Sequence, residues 1–335
     1  MPKRGKLKKV TLKDIAMIAG VSVPTASQIL NNRENNYCSE AKKQRVRQVA
    51  RELNYQPSFG YKVMCGQKTN TVALVCSLEE SLYDEHIKEL VFRLMSDFEK
   101  LGYFVYSSIM TKSTEENIDK MTALINRGCS SFVLLGHITG AAQIVKLFAS
   151  NKLDYISFRS ATPRNIIVNF PYTFRRYIND LLNEDRKNFK ILTNNMNDIQ
   201  GLIKAFPKSD PESLVKKLVV PLSLNRPLNN SYENNFLTGY NQTKQLLINS
   251  PGIQGIIYHS GYYALGGAKF LAEKGFKVGS DIKLYVYNNV NASILFHYPI
   301  SISLYNTDKI CKTITERLFR PGSMQIAINP KVIIK

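Results

Sequence analysis

The stretch VTLKDIAMIAGVSVPTASQILNN, residues 10–32, decides how the chain begins to fold. Thr11 stands just before a helical run, with Asp14 three positions on. A hydroxyl and a carboxylate so spaced can satisfy the N–H groups left unpaired at a helix start. Leu12, Ile15, Ala16 and Ala19 recur at helical spacing, and Gly20, free to take positive φ, ends the run. Val21-Ser22 leads into a second start, with Ser22 as cap and Pro24 in the first turn. The second helix, Val23 to Leu30, is expected to bury Ala26, Ile29 and Leu30 and to leave Val23, Pro24, Thr25, Ser27 and Gln28 elsewhere. Two short helices and a tight turn make a helix-turn-helix, whose second helix can enter a major groove tip first.

Working outward, a polar loop (Asn31 to Cys38) leads to Ser39, which opens a third helix. Its apolar residues Val46, Val49, Ala50 and Leu53 complete a three-helix core, while Arg45, Arg47 and Arg51 interleave with them. A short helical trio alone is as well read as a plain bundle; charge tips the balance. Residues 1–69 hold 14 Lys and Arg against four Asp and Glu, out of 45 and 26 in the whole chain. Polyphosphate is the natural partner for such a segment.

The chain has 335 residues, enough for two or three folded units, and its 44% hydrophobic and 21% charged content is that of an ordinary globular protein. No apolar run approaches the ~18 residues of a membrane span. The basic N-terminus lacks the apolar stretch of a secretory signal, so a cytoplasmic location is expected. The five cysteines (Cys38, Cys65, Cys76, Cys129, Cys311) are widely spaced with no CxxC, so reduced thiols and no metal site are expected.

From residue 71 onward, β-rich runs alternate with amphipathic helical stretches: 71–76, 104–109, 132–135, 155–158, 166–170, 189–192, 218–222, 255–258 and 284–287. That alternation predicts parallel sheets with helical crossovers. The pattern restarts near residue 164, which implies two doubly wound subdomains, with ligands at the carboxyl ends of strands in the cleft between them.

The headpiece residues, with SEAKKQRVRQVARELNYQPS after them, resemble the DNA-binding headpiece of the LacI/GalR (lactose-repressor) family of bacterial transcription regulators. The resemblance rests on the turn Ala19-Gly20-Val21-Ser22, the Leu30-Asn31 exit and the Leu53-Asn54-Tyr55-Gln56-Pro57 end. It extends more loosely over the rest, through Tyr263 to Ala268, Phe270-Leu271, Gly275 to Val278, Asp281-Ile282, Tyr287 to Asn289, and Pro299 to Ser301 leading to Leu318. It implies an all-α helix-turn-helix headpiece (1–57), a hinge helix or linker (58–69) and an α/β periplasmic-binding-protein-like core of two doubly wound parallel-sheet subdomains (70–335). The boundaries expected within the core are 70–163 with 290–321, and 164–289 with 322–335.

In the family, base edges are read by positions that correspond here to Val23, Pro24 and Gln28. Gln28 stands where the family often has Arg, which favours adenine over guanine as a bidentate partner. Pro24 offers only van der Waals contact. An A·T-richer operator is therefore expected. Thr25, Ser27 and Asn31 are expected to hold phosphates, and Thr11, Ser22 and Tyr55 to complete the DNA-binding surface. Met64 takes the place of the family's minor-groove leucine wedge.

In the core, the Asn-Asp pair that sugar-binding members carry is replaced by Ser260-Gly261, a terminal Asp by Asn288, and an Arg by Asp198. Arg159 matches an Arg of the crossover segment. The effector-site candidates are Ser77, His86, His137, Arg159, Asn169, Phe236, Ser260 and Asn288. An Arg in a core that is itself positively charged suits an anionic effector such as a phosphorylated sugar.

The chain carries no G-x-S-x-G elbow, P-loop, H-E-x-x-H or G-x-G-x-x-G after a strand, and its four histidines are scattered. Catalysis is not expected, nor is a cofactor. The expected partners are a near-palindromic double-stranded DNA operator, a small-molecule effector and a second copy in a homodimer, with no membrane. The expected function is that of a sequence-specific transcription regulator, a repressor. The alternatives are a cytoplasmic ligand-binding protein without a specific operator and a nonspecific DNA-binding protein.

Overall fold

The structure, a computed structural model, describes residues 10–31, 38–55, 69–78, 84–193, 196–221, 232–287 and 297–335. Two compact units divide the chain, residues 1–69 and 70–335. Helices α1 (Leu12–Ala19), α2 (Val23–Leu30) and α3 (Glu40–Glu52) build the first. Their signals act as the residues dictate. Thr11 and Asp14 close a reciprocal capping box on α1, and Gly20 ends it at φ 66°. Ile15, Ala16, Ala26, Ile29, Val46, Val49 and Ala50 bury between the helices, while Leu30, Leu53 and Tyr55 pack around them half-buried.

The second unit contains two six-stranded sheets. The first is ordered β11-β5-β4-β3-β1-β2 and is parallel throughout. Its strands are β1 (Thr71–Ser77), β2 (Phe104–Met110), β3 (Ser131–Leu135), β4 (Asp154–Phe158), β5 (Arg164–Val168) and β11 (Met324–Ile328). Around it wind α4 (Glu85–Lys100), α5 (Thr114–Asn126), α6 (Ala141–Ser150) and α12 (Thr307–Arg317). Alternate residues of β1 go to opposite faces. Val72, Leu74 and Cys76 pack with Ile87, Leu90, Leu94 and Phe98 of α4, and Ala73 and Val75 with Met121 of α5 and Phe148 of α6.

The second sheet is ordered β12-β10-β9-β8-β6-β7 and is parallel except for β12. It comprises β6 (Phe189–Leu192), β7 (Val219–Val220), β8 (Gly255–Tyr258), β9 (Lys283–Val286), β10 (Ile300–Leu304) and β12 (Lys331–Ile333). Its helices are α7 (Phe170–Asn183), α8 (Met196–Ala205), α9 (Pro211–Leu218), α10 (Tyr232–Asn249) and α11 (Gly261–Glu273). Helices α10 and α11 approach so closely that a Cβ on Gly266 would lie 1.9 Å from the Phe236 carbonyl oxygen, and one on Gly239 2.1 Å from that of Tyr263.

The subdomain boundaries differ from those read in the sequence. The break seen at residue 164 is a turn, not a change of sheet. Strand β5 is shifted forward, so that Ser157 and Phe158 at the end of β4 pair with Asn165 and Ile166 near its start. A short turn can therefore join two parallel neighbours without a helix. Strand β10 belongs to the second sheet, although 290–321 was assigned with the first. Strand β11 belongs to the first, although 322–335 was assigned with the second. These late strands were absent from the strand pattern, and β5 spans 164–168 rather than 166–170.

The crossings position the functional edge. The chain leaves the first sheet after β5 and after β11, and returns to its helices after β10. Each crossing starts at a strand's carboxyl end, and β12 enters with Lys331 opposite Leu304, the carboxyl end of β10. The carboxyl edges of the two sheets therefore face each other. Phe170, just past the first crossing, packs its ring 5.9 Å from that of Tyr287 at the end of β9.

Candidate DNA-reading helix and effector cleft

On α2 the side chains of Val23, Pro24 and Gln28 are exposed, whereas Ala26 and Ile29 are buried. The helical period that builds the headpiece core thus turns this trio outward together. Ser22 is occupied in capping: its Oγ accepts from the Thr25 N–H at 3.3 Å and lies 2.8 Å from the Thr25 hydroxyl. The Asn31 amide donates to the Ser27 carbonyl at 2.7 Å and fastens the end of α2. Thr25, Ser27 and Asn31 are half-buried and already engaged, so a phosphate contact from them must share those bonds. Thr11 is exposed and holds Asp14 through its own N–H and hydroxyl, at 2.8 and 2.7 Å. Tyr55 closes α3 by donating its N–H to the Ala50 carbonyl at 2.8 Å. Met64 lies outside the described residues. Lys42, Arg45 and Arg51 are exposed on α3, and Arg47 and Arg51 line a groove of about 550 Å³ with Leu30 and Tyr55.

In the second unit the carboxyl edge of the first sheet gathers several of the candidates. Ser77 ends β1, His137 follows β3, Arg159 follows β4 and Asn169 follows β5. Arg159 is held at φ 64° with its N–H donated to the Ile166 carbonyl at 3.0 Å. The turn behind it is pinned by a buried hydroxyl cluster. Ser157 Oγ meets Thr162 Oγ1 at 2.7 Å and Asn165 Oδ1 at 3.0 Å, and the Ser160 hydroxyl donates to the Gly136 carbonyl.

The Arg159 guanidinium reaches across to Asp84, which the sequence reading did not single out: Nη1 lies 2.7 Å from Oδ2, with both side chains about four-fifths buried. The other Asp84 oxygen caps α4, accepting the N–H groups of His86 at 3.0 Å and Ile87 at 3.3 Å. An Asp ahead of the apolar run Ile87, Leu90 and Leu94 is a legible helix start; its ion pair is not, because the partner lies 75 positions away.

His86 is buried, 1% exposed, with its ring edge-on to Tyr305 at 4.2 Å and to Phe158 at 5.8 Å. Its Nδ1 faces the Thr307 hydroxyl at 3.4 Å, while Nε2 has no hydrogen-bond partner among the described residues. Burial first, then the charges of Arg159 and Arg93, hold its pKa down at about 3, so the ring is neutral. His137 is exposed. Asn169 serves the crossing: its N–H donates to the Ile328 carbonyl at 2.9 Å, its side-chain amide to Asn329 Oδ1 at 2.7 Å, and its Oδ1 caps α7.

On the facing edge, Ser260 stands ahead of α11 with its Oγ buried and unpartnered among the described residues. His259 Nδ1 lies 3.2 Å from the Tyr287 hydroxyl. Phe236 is half-buried, and its carbonyl is the one pressed against Gly266. Asn288 lies outside the described residues. The ion-paired knot of buried Lys283 with half-buried Asp180 and exposed Glu184 sits at the amino end of β9, away from this edge, and is structural. Among the described residues no His, Cys, Asp and Glu cluster could hold a metal, and no helix is long and apolar enough to cross a membrane.

Residues 11–58 match the sequence profile of "Bacterial regulatory proteins, lacI family". Over nearly the whole chain the protein is similar to the HTH-type transcriptional repressor PurR of Histophilus somni, 21% identical over 354 residues covering 97% of this chain and 98% of the relative. Over 71 residues, 21% of each chain, it is 42% identical to the sucrose operon repressor of Klebsiella pneumoniae. Among solved structures it resembles the lac repressor dimer bound to operator and the anti-inducer ONPF, with TM-score 0.72, 19% identity, and 97% and 98% of the two chains covered. It also resembles the transcriptional regulator CelR in complex with cellobiose, with TM-score 0.62, 16% identity, and 97% and 99% covered. The headpiece thus carries the lacI-family profile over residues 11–58, and the two-sheet core shares the fold of the lac repressor and CelR structures.

Proposed function

We propose that the protein is a cytoplasmic repressor that binds a near-palindromic operator as a homodimer and changes its grip when a sugar-class effector enters the cleft between the facing carboxyl edges. The observation that carries the reading is the outward trio Val23, Pro24 and Gln28 on a helix flanked by the cations of α3. Bidentate pairing of Gln28 with adenine and apolar contact from Val23 and Pro24 support an A·T-rich half-site. The lac repressor dimer on operator and the cellobiose complex of CelR support the DNA, dimer and sugar parts of the reading by analogy of fold. Exposed apolar side chains at Phe92 (70% exposed) on α4 and at Leu101 and Phe104 (67%) leading into the edge strand β2 suit a second copy. Allostery of this kind is a difference in affinity between two arrangements of the lobes.

A phosphorylated sugar is the second reading of the effector. It is favoured by the charge balance of residues 70–335, which hold 31 Lys and Arg against 22 Asp and Glu.

The test is a gel shift of the chain's own upstream region against random DNA at several salt concentrations, for the parent and a Gln28→Ala, Thr25→Ala double variant. The parent is expected to prefer the upstream region, and the double variant to lose about 1–3 kcal/mol of that preference through Gln28, with Thr25 weakening both DNAs alike. Equal affinity of the parent for both DNAs with a steep salt slope would mark nonspecific binding. No shift at all would mark a ligand-binding protein without an operator.

A further inference from the structure

We propose that Phe170 is the pivot on which the two lobes of the core turn, latched by the bond between Asn169 and Asn329, and that it is a positioning residue for the arrangement that grips the operator. The last clause rests on the repressor reading and adds to it the residues that control the change of arrangement.

The first observation is where the ring lies. Phe170 packs against the buried cluster built from β1, β3, β4, β5, α4 and α12, and also against the cluster of α7, α8, α9, β6, β8 and β9. Among the described residues it is the one apolar side chain shared by a cluster of each sheet. Room on the second side comes from Gly201 of α8, where a Cβ would stand 3.3 Å from that of Phe170. Close-packed cores switch between discrete arrangements rather than deform continuously, so a turn of one lobe on the other must roll over this shared ring.

The second observation is that the crossings are tied unequally. Asn169 donates its N–H to the Ile328 carbonyl at 2.9 Å and its side-chain amide to Asn329 Oδ1 at 2.7 Å, while its own Oδ1 accepts the Tyr172 N–H at 3.3 Å. The first and third crossings are thereby one strap, fastened to the second lobe through the cap of α7. The second crossing is fastened to the first lobe. The Tyr305 ring lies against His86 and Phe158, and the Thr307 hydroxyl lies 3.4 Å from His86 Nδ1 and 3.3 Å from a Glu89 carboxylate oxygen.

The third observation is the backbone. Asn169 stands at φ −78° and ψ 76°, and Asn306 of the second crossing at φ −85° and ψ 76°. Each is bent close to an inverse γ-turn and caps the helix of the lobe it enters. Hinge motion is absorbed at a few such element-terminal residues, and Phe170 follows the first of them directly.

The experiment is pulsed electron–electron double resonance on the full chain, with nitroxides carried by p-acetylphenylalanine at exposed Glu116 of α5 and Asn241 of α10. Labelled chain is mixed with excess unlabelled chain, so that a dimer carries one labelled protomer. The parent is expected to give one narrow distance distribution. Phe170→Leu, which stays apolar but loses the ring, should roughly double that width, and Asn329→Ala, which leaves the α7 cap intact, should broaden it less. Phe170→Tyr, which keeps the ring, should restore the parent's width. Phe174→Leu is the control, because that ring is fully buried in the second lobe alone. It should lower the urea midpoint of the core more than Phe170→Leu does and leave the distribution narrow. In gel shifts, Phe170→Leu should lose about threefold or more of the preference for the upstream region over random DNA, and Phe174→Leu should keep it. Parent-like distributions in Phe170→Leu and Asn329→Ala, or equal broadening by Phe174→Leu, would overturn the pivot and leave the repressor reading standing. A broadened distribution with undiminished preference would overturn the coupling to operator grip. A parent without preference for its upstream region would sink the repressor reading, while the distances still decide the pivot.

Discussion

The headpiece and the core are held together over very different distances along the chain. In the headpiece the cap and tie bonds of Thr11, Ser22 and Asn31 join residues three or four positions apart. In the core the corresponding bonds are Arg159 to Asp84 across 75 positions, Arg164 to the Arg317 carbonyl across 153, and Asn169 to Asn329 across 160. Local bonds of the first kind make short helices from sequence signals alone. Bonds of the second kind exist only once distant strands and helices have come together. The lesson is that the headpiece helices are a property of local sequence, and the carboxyl edge of the first sheet a property of topology.

The sharpest way to break this contrast is a methyl group in each region. Gly266→Ala would set a Cβ 1.9 Å from the Phe236 carbonyl and 2.7 Å from the Tyr240 nitrogen, both backbone atoms, so α10 and α11 must part. The expected loss is about 3 kcal/mol or more, read as a lowered midpoint in urea unfolding of the core. Gly20→Ala meets nothing within 4 Å and costs only its left-handed backbone at φ 66°, about 1–2 kcal/mol. Its effect should appear in the headpiece transition and leave the core midpoint unmoved. Equal losses at the two sites would dissolve the comparison.

Acid tests the long-range side. The folded His86 ring takes its proton only near pH 3, whereas the unfolded ring does so near 6.5. Between those values the unfolded chain binds a proton that the folded one does not. Stability is thus fully present above pH 6.5 and falls as the pH drops, by about 1.4 kcal/mol per unit from this group. His86→Asn should flatten the slope of core stability between pH 6.5 and about 4 by close to one proton, measured by urea unfolding at each pH. An unchanged slope would show that the ring titrates normally.

Thr11→Ala should have the smallest effect, about 1 kcal/mol from loss of the cap, seen in the headpiece alone. Destabilisation of the core by this change would contradict the division into two units.

The same distances explain what could be read from residues. The three headpiece helices, their caps and the outward face of α2 follow from period and from Thr, Ser, Gly and Pro at helix ends. Alternation of strands and helices gave two doubly wound sheets, because β-branched runs and amphipathic stretches are local. Which sheet owns β5, β10 and β11 was hidden, since pairing leaves no periodic mark, whether the partners are as far apart as Arg164 and Met324 or as near as Leu284 and Ile300. The candidate site divides likewise. Arg159 at a strand end was visible, while Asp84 was invisible as its partner, and Asn169 turned out to brace a crossing. His86 was chosen for its chemistry and is found packed between rings at the same edge.

The interleaving of the two sheets bears on how the polypeptide is born. The first sheet is begun by Thr71 yet takes β11, its edge strand beside β5, from residues 324–328, and the Arg164 guanidinium waits for the carbonyls of Arg317 and Leu318 at the end of α12. Neither lobe can be completed by a contiguous segment, so on the ribosome the last few dozen residues finish both at once, while the headpiece is whole from the first sixty. A truncation near the C-terminus therefore opens both halves together instead of shaving off one.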